Sequence, residues 1–313
     1  MATLSAKYIA GFFDADGSVN VVFQADCVTP QLRIGFSQAT EQDEVLQRIH
    51  AEWCGCISYM KVKGKSYTHL TFSGNKQCTM LLNRVRQFLV IKRHYVEVCL
   101  DVCSRKLGRE EVIRTKAYLQ IQRKQRAVPL PKHPTRKWLA GYIDGDGCIS
   151  VTALRKPGGQ AAMVLHIAAS NFDTEGIEVI KIAFGGAIHN MCDGRVRQYV
   201  LSLQASKINE VFSDIVDDMI VKQDQARLIL KCAAMGHLRD GENIKAALRH
   251  LKAHPHRLNE PKLDVDVLFA TIRDLPKYER SKEDYSRASY KAHDTRRAMR
   301  QSETTSATVA MVG

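Results

Sequence analysis

The chain has 313 residues, room for two domains at the usual ~100–200 residues each, and its 45% hydrophobic and 25% charged content is that of a globular protein. Lys and Arg outnumber Asp and Glu by 46 to 33, a formal net charge of +13, which favours an acidic partner such as nucleic acid. No run approaches the ~18 apolar residues of a membrane span, no secretory leader is expected, and nine cysteines without a C-x-x-C pair argue against a zinc ribbon or a secreted disulfide scaffold and for free thiols in a reducing interior.

The first predicted element is a helix over 7–16 with Gly11 and Ala15 four apart, so that one face is a stripe of small residues. It ends at Asp16-Gly17, where Gly17 is expected as a left-handed cap. Strict alternation follows, with Val19, Val21 and Phe23 on one face and Asn20, Val22 and Gln24 on the other, the pattern of a half-buried strand. A second strand is predicted near 31–37, a helix over 41–53, a hairpin over 57–73 turning at Gly64, and helices near 75–89 and 93–105. Residues 104–137 carry eleven Lys and Arg against Glu110 and Glu111, and the hairpin interleaves Lys61, Lys63 and Lys65 with Tyr59, Tyr67 and His69. Clustered cations with aromatics are the footprint of a nucleic-acid binder.

After a proline-punctuated linker at 125–136 the pattern returns. Residues 9–21 recur at 139–151, an offset of 130, with six of thirteen identical, Gly11/Gly141, Asp14/Asp144, Asp16/Asp146 and Gly17/Gly147 among them. Downstream, Gln38 is matched to Asn171 and Ile49 to Ile182, each at an offset of 133, and Lys92 to Lys222 at 130. A duplication is therefore expected: repeat 1 over 1–124, linker 125–136, repeat 2 over 137–260, and a polar tail over 261–313. In the second copy the strand falls near 163–169, the helix at 174–184, a hairpin at 187–204 turning at Asp193-Gly194, and helices at 206–220 and 223–235. The fold class is α+β, two α-β-β-α-β-β-α-α units. The small-residue stripes of the two opening helices predict that these pack on each other.

Asp16 and Asp146 then sit at helix C-termini, which already carry partial negative charge and unpaired carbonyls. Two carboxylates gathered there call for cations. Hard oxygen donors suit Mg²⁺, and divalent ions between carboxylates beside a basic surface describe metal-assisted phosphodiester hydrolysis. Asp14 and Asp144 are expected to make local hydrogen bonds instead. An Asp-x-Asp-Gly phosphatase of the haloacid-dehalogenase type needs the motif once, at the end of a buried parallel strand. A calcium loop needs Glu where Ala25 and Arg155 stand.

These residues resemble the LAGLIDADG homing endonucleases in their single-chain, two-repeat form, with the family motif matched at 9–17 and 139–147 and the resemblance covering roughly 5–235. The resemblance implies a homing endonuclease-like fold of two pseudo-symmetric αββαββα repeats with saddle-shaped antiparallel sheets. It implies a monomer that cuts both strands of a long, asymmetric double-stranded DNA target and leaves 3′ overhangs. Asp16 and Asp146, with the backbone carbonyls of Ala15 and Gly145, would bind Mg²⁺, with Mn²⁺ as a substitute. Gln38 and Lys92, and Asn171 and Lys222 in the second copy, match the family's polar residues near the attacking water and scissile phosphate. Base reading would fall to outward strand positions: Asn20, Val22, Gln24, Gln31, Arg33, Tyr59, Lys61, Tyr67 and His69, then Ser150, Thr152, Leu154, Val164, His166, Asn190, Cys192 and Gln198, with Arg155, Arg195 and Arg197 reaching from turns. Lys63, Lys65 and Lys156 would hold phosphates. The alternatives are an intron maturase, with intron RNA as partner, or a non-cleaving nucleic-acid binder on the same fold. The setting expected is intracellular: bacterial, phage or organellar.

Overall fold

The computed structural model describes residues 3–23, 29–123, 125, 134–150, 165–169, 175–193, 196–203, 205–234, 241–253, 264 and 267, all within one compact unit, Met1–Arg273. The first repeat runs α1 (Ala6–Asp16), β1 (Gly17–Val22), β2 (Gln31–Ala39), α2 (Glu44–Trp53), β3 (Cys56–Val62), β4 (Lys65–Ser73), α3 (Asn75–Val85), α4 (Arg93–Cys103) and α5 (Arg109–Gln122). The second runs α6 (Arg136–Asp146), β5 (Gly147–Cys148), β6 (Leu165–Ala169), α7 (Glu175–Phe184), β7 (Ala187–Asp193), β8 (Val196–Leu203), α8 (Ala205–Ile215), α9 (Gln223–Ala234) and α10 (Gly241–Ala253). Each repeat holds a four-stranded antiparallel sheet, ordered β1-β2-β4-β3 and β5-β6-β8-β7. The α+β class is as expected; α5 and α10 are additions that follow the last expected helix of each copy. Among the described residues no helix is long and apolar enough to cross a membrane.

Period-two alternation decides which sheet face meets the helices. Leu32, Ile34 and Phe36 of β2 and Leu70 and Phe72 of β4 are buried, and Phe36 is the hub of an aromatic cluster. Its ring lies 5.9 Å from Phe12, 5.6 Å from Phe13 and 6.4 Å from Phe72. Each such ring contributes roughly 1.5–3 kcal/mol by leaving water, so the cluster anchors α1 on its sheet. The β3–β4 turn uses Lys63 (φ 50°) and Gly64 (φ 81°), both left-handed, as a two-residue hairpin loop of the I′ kind demands.

At the centre α1 and α6 pack against each other, and small residues make this possible. A Cβ on Gly11 would stand 1.9 Å from the Trp138 carbonyl oxygen, and one on Gly141 would stand 2.1 Å from that of Tyr8. The helices therefore touch backbone to backbone. Gly17 and Gly147 play a different part from the one expected. Both are extended (φ −77° and −67°), not left-handed. They are small because a Cβ would lie 2.6 Å from the Phe13 carbonyl oxygen and 2.4 Å from that of Ile143. The chain turns directly from helix into strand with no room for a side chain.

The register also corrects two sequence equivalences. Gly17 pairs with Phe36 and Gly147 with Ile167, while Phe36 pairs with Leu70 and Ile167 with Leu201. The second-copy strand is thus offset by 131, so Ala169 takes the place of Gln38, and Asn171 lies outside the described residues. Ile49 is fully buried and Ile182 is 51% exposed, whereas Ile180, at the corrected offset, is fully buried. A two-residue slip keeps the side-chain parity of a strand, which is why the alternation did not reveal it.

Candidate active site

Two buried carboxylates fix the ends of the crossed helices. Asp14 accepts hydrogen bonds from the backbone N–H groups of Val90 (2.7 Å) and Lys92 (2.9 Å) and from Trp138 Nε1 (2.9 Å). Asp144 accepts them from the N–H groups of Ile220 (2.6 Å) and Lys222 (2.9 Å) and from the Tyr8 hydroxyl (2.7 Å). These bonds are not local: each carboxylate ties its helix to a distant loop and to an aromatic residue of the other repeat. Every pair is related by the offset of 130, so the junction is a pseudo-twofold, self-complementary interface. Burial pushes the Asp14 carboxyl above its ordinary range against the pull of its donors, and burial next to Asp144 does the same to the Tyr8 hydroxyl.

The two lysines found at matching positions complete the helix ends. Lys92 Nζ donates to the carbonyls of Phe13 (2.9 Å), Ala15 (3.0 Å) and Gly17 (2.8 Å). Lys222 Nζ donates to those of Ile143 (2.9 Å), Asp144 and Gly145 (3.1 Å). Carbonyls at a helix C-terminus lack intrahelical partners and attract cations, and here an ammonium from 75 to 79 residues away supplies both needs. Burial lowers the Lys222 pKa, while Asp144, Asp16 and Asp146 push it back up.

Asp16 and Asp146 follow two residues later and are half-buried. Asp16 crosses to the other helix: a Cβ on Gly145 would lie 3.4 Å from Asp16 Oδ2. Gly145 immediately precedes Asp146, so the ends of the two motifs, 130 residues apart in sequence, meet here, and both Asp16 and Asp146 raise the Lys222 pKa. Desolvation there raises the Asp16 pKa, with Lys222, the Gln38 amide and Lys92 opposing it. Gln38 Nε2 donates to Asp16 Oδ2 (3.2 Å) and reaches the Asp144 carbonyl at 3.5 Å. Gln38 Oε1 is buried and without a partner among the described residues, an acceptor left open beside Asp16. Its counterpart by register, Ala169, carries no amide.

A divalent cation fits this donor set. Asp16, Asp146 and the carbonyls of Ala15 and Gly145 are all hard oxygens, and a carbonyl that accepts from a lysine keeps a second lone pair. No cluster of three or more His, Cys, Asp and Glu occurs among the described residues, so this donor set is an open one. Mg²⁺ binds in this way, through one or two carboxylates with water and substrate phosphates as the rest.

Several polar expectations fall on the sheet face opposite the helices. Asn20 pairs with Arg33 and Val22 with Gln31 in β1–β2, and all four share the open face with Lys65, Tyr67 and His69 of β4. Lys63 is exposed in the turn. Tyr59 and Lys61 require correction. They share the parity of Ile57, which packs on the core, and pair with Thr68 and Ser66, so the open-face residues of β3 are Cys56, Ser58, Met60 and Val62. The same register places Asn190 and Cys192 in the row of Ile188, and Arg197 lies inside β8 instead of a turn. His166 lies opposite Cys148, and Gln198 takes the place of Tyr67. Ser150 lies past β5 and is half-buried. Gln24, Thr152, Leu154, Arg155, Lys156, Val164, Asn171, Arg195 and the Gly194 of the predicted turn lie outside the described residues.

Residues 139–224 match the model of the LAGLIDADG endonuclease family. A comparison with curated proteins finds no match. Among solved structures, the chain is similar to I-SmaMI bound to an uncleaved DNA target in the presence of calcium ions, at 18% identity and a TM-score of 0.57, covering 80% of this chain and 99% of that one. It is similar to the LAGLIDADG meganuclease I-AabMI bound to uncleaved DNA, at 16% identity and 0.59, covering 81% and 100%. The LAGLIDADG homing endonuclease I-GzeII in complex with its DNA target aligns at 15% identity and 0.56, covering 89% and 100%. At these identities the likeness establishes a shared fold.

Proposed function

We propose that this chain, by motif, family match and fold a two-repeat LAGLIDADG protein, is a divalent-metal-dependent endonuclease that cuts both strands of a specific DNA site and leaves 3′ overhangs. The observation that carries this reading is the approach of the Asp16 carboxylate to Gly145, the residue before Asp146, at the end of a helix pair that touches through Gly11 and Gly141. A fold that needed only to bind DNA would gain nothing from a desolvated Asp16 carboxylate placed against the other repeat's helix end, which is itself partly negative.

Asp16 and Asp146, with the carbonyls of Ala15 and Gly145, would hold Mg²⁺ or Mn²⁺. Bound there, divalent ions neutralise phosphate charge and lower the pKa of a water to the neutral range. The chain's own groups do the rest. Gln38 fixes Asp16 through Nε2 and presents Oε1 to orient a water. Lys92 and Lys222 hold the helix-end carbonyls in place and supply positive charge beneath the carboxylates. The open sheet faces, with Asn20, Gln31, Arg33, Tyr67 and His69 on the first, read base edges, and Lys63 and Lys65 hold backbone phosphates.

The test is cleavage of a randomised duplex library in Mg²⁺, Ca²⁺ or EDTA. Recovery of one family of double-strand breaks with 3′ overhangs in Mg²⁺ alone is expected. Binding without cleavage in any metal would overturn the nuclease and leave a nucleic-acid binder.

A further inference from the structure

The lysines already described have no donor left for a substrate. An ammonium has three donors, and Lys92 and Lys222 each place three on carbonyls of their own helix end. A cation that touches the phosphate backbone near the carboxylates has to come from elsewhere. The helices added after each copy bring one to the two halves at different distances.

In the second repeat α10 buries Ile244, Ala247, Leu248 and Leu251, packing on α9. One residue further on, Lys252 extends to the first strand of the sheet, where its Nζ lies 3.5 Å from Cys148 Sγ. Cys148 stands two residues past Asp146. Its equivalent in the first repeat, Ser18, is exposed and donates to the Gly35 carbonyl at 3.2 Å, whereas Cys148 is half-covered. In the first repeat α5 also sends a lysine to the opening strand, but to its far end. Lys116 Nζ sits over the Phe23 ring, 5.5 Å from its centroid, and Phe23 is seven residues past Asp16. Five extra strand residues at ~3.3 Å each put that charge about 16 Å further from its carboxylate. A thiol is a weak acceptor, so the Cys148 contact leaves the Lys252 ammonium with donors for a stronger anion.

We propose that Lys252 is a phosphate-positioning residue of the Asp146 half alone, holding the DNA backbone beside the scissile phosphate on one strand. The inference rests on the endonuclease reading for its consequence, a cleavage reaction whose two strand cuts differ in their side-chain requirements.

The experiment uses the full chain and a duplex recovered by selection from a random library, with each strand end-labelled. Single-turnover rates are read strand by strand for the wild type, Lys252→Met and Lys252→Arg, with melting temperatures taken alongside. Lys252→Met is expected to slow one strand at least about tenfold relative to the other, as loss of an oriented charge at a reacting phosphate does, and Lys252→Arg to restore most of that rate. In Ca²⁺ the slope of log binding constant against log salt should fall by about 0.9, one phosphate contact. Equal slowing of both strands, no slowing, or an unchanged salt slope would overturn the role. A wild-type protein that binds the selected duplex and cuts neither strand overturns the endonuclease reading instead, and the salt slope then decides whether Lys252 holds a phosphate.

Discussion

Gly141→Ala tests the backbone contact on which the site is built. The added methyl would lie 2.1 Å from the Tyr8 carbonyl oxygen and 2.9 Å from the Phe12 nitrogen. A carbon and a carbonyl oxygen approach to about 3.3 Å at best, so α1 and α6 would have to part by roughly 1.2 Å. Neither obstacle is a flexible side-chain tip; both are helical backbone. Overpacking of this kind costs about 1–3 kcal/mol, and parting the helices also strains the Tyr8–Asp144 and Trp138–Asp14 bonds, 2.7 and 2.9 Å long. For a unit of this size that loss lowers the melting temperature by roughly 2–10 °C. Because Asp16 and Asp146 ride on the helix ends, a shift near 1 Å should also slow cleavage on the order of 10²-fold. Gly108→Ala is the control: its Cβ would meet only Glu111 Oε2, at 3.6 Å. Thermal melts and single-turnover cleavage of the two variants decide the matter. A Gly141→Ala protein that melts and cuts like wild type would refute the close-packed junction.

Further outcomes follow from the same site. Asp16→Asn should raise stability at neutral pH: the native pKa lies above the unfolded one, so the ionised form is penalised on folding, and a neutral amide removes that penalty. The gain is full above the raised native pKa and fades as pH falls toward the ordinary carboxylate value near 4, which melting curves from pH 4 to 8 would record. Because burial makes the Asp16 carboxyl easier to protonate, protons compete with metal there, and the Mg²⁺ concentration that half-saturates single-turnover cleavage should rise as pH falls toward the carboxylate range; a half-saturating concentration unchanged from pH 4 to 8 would contradict it. Lys222→Met, which strips a buried cation from three carbonyls and from Asp144, should cost on the order of 3–5 kcal/mol. Lys92→Met, at a half-exposed position, should cost less, and denaturant titrations that ranked them in the opposite order would argue against the difference in burial.

Much of this arrangement was legible in the sequence because it is written in local periods. The Gly11/Ala15 and Gly141/Gly145 stripes, the alternation after Asp16 and the Gly64 turn each reflect a constraint acting within a few residues. What was not legible depends on distant partners. Nothing near Asp14 or Asp144 announces that Val90, Lys92, Ile220 and Lys222 come to meet them, and the carbonyl-capping role of the two lysines spans more than seventy residues. Tyr59 and Lys61 were misplaced because the exposed Met60 and Val62 mask the parity that Ile57 sets. The helix α5 escaped notice because Ile113, Tyr118 and Ile121 leave apolar residues on its exposed side, so no single stripe stands out against the basic charge.

The central claim is that one carboxylate from each repeat serves a shared reaction centre. Its most direct measurement is double-strand cleavage by Asp16→Asn and by Asp146→Asn, each compared with wild type at equal DNA occupancy in Mg²⁺. Loss of double-strand cutting in both variants with affinity nearly unchanged is the predicted result. Wild-type cutting by either one would contradict it.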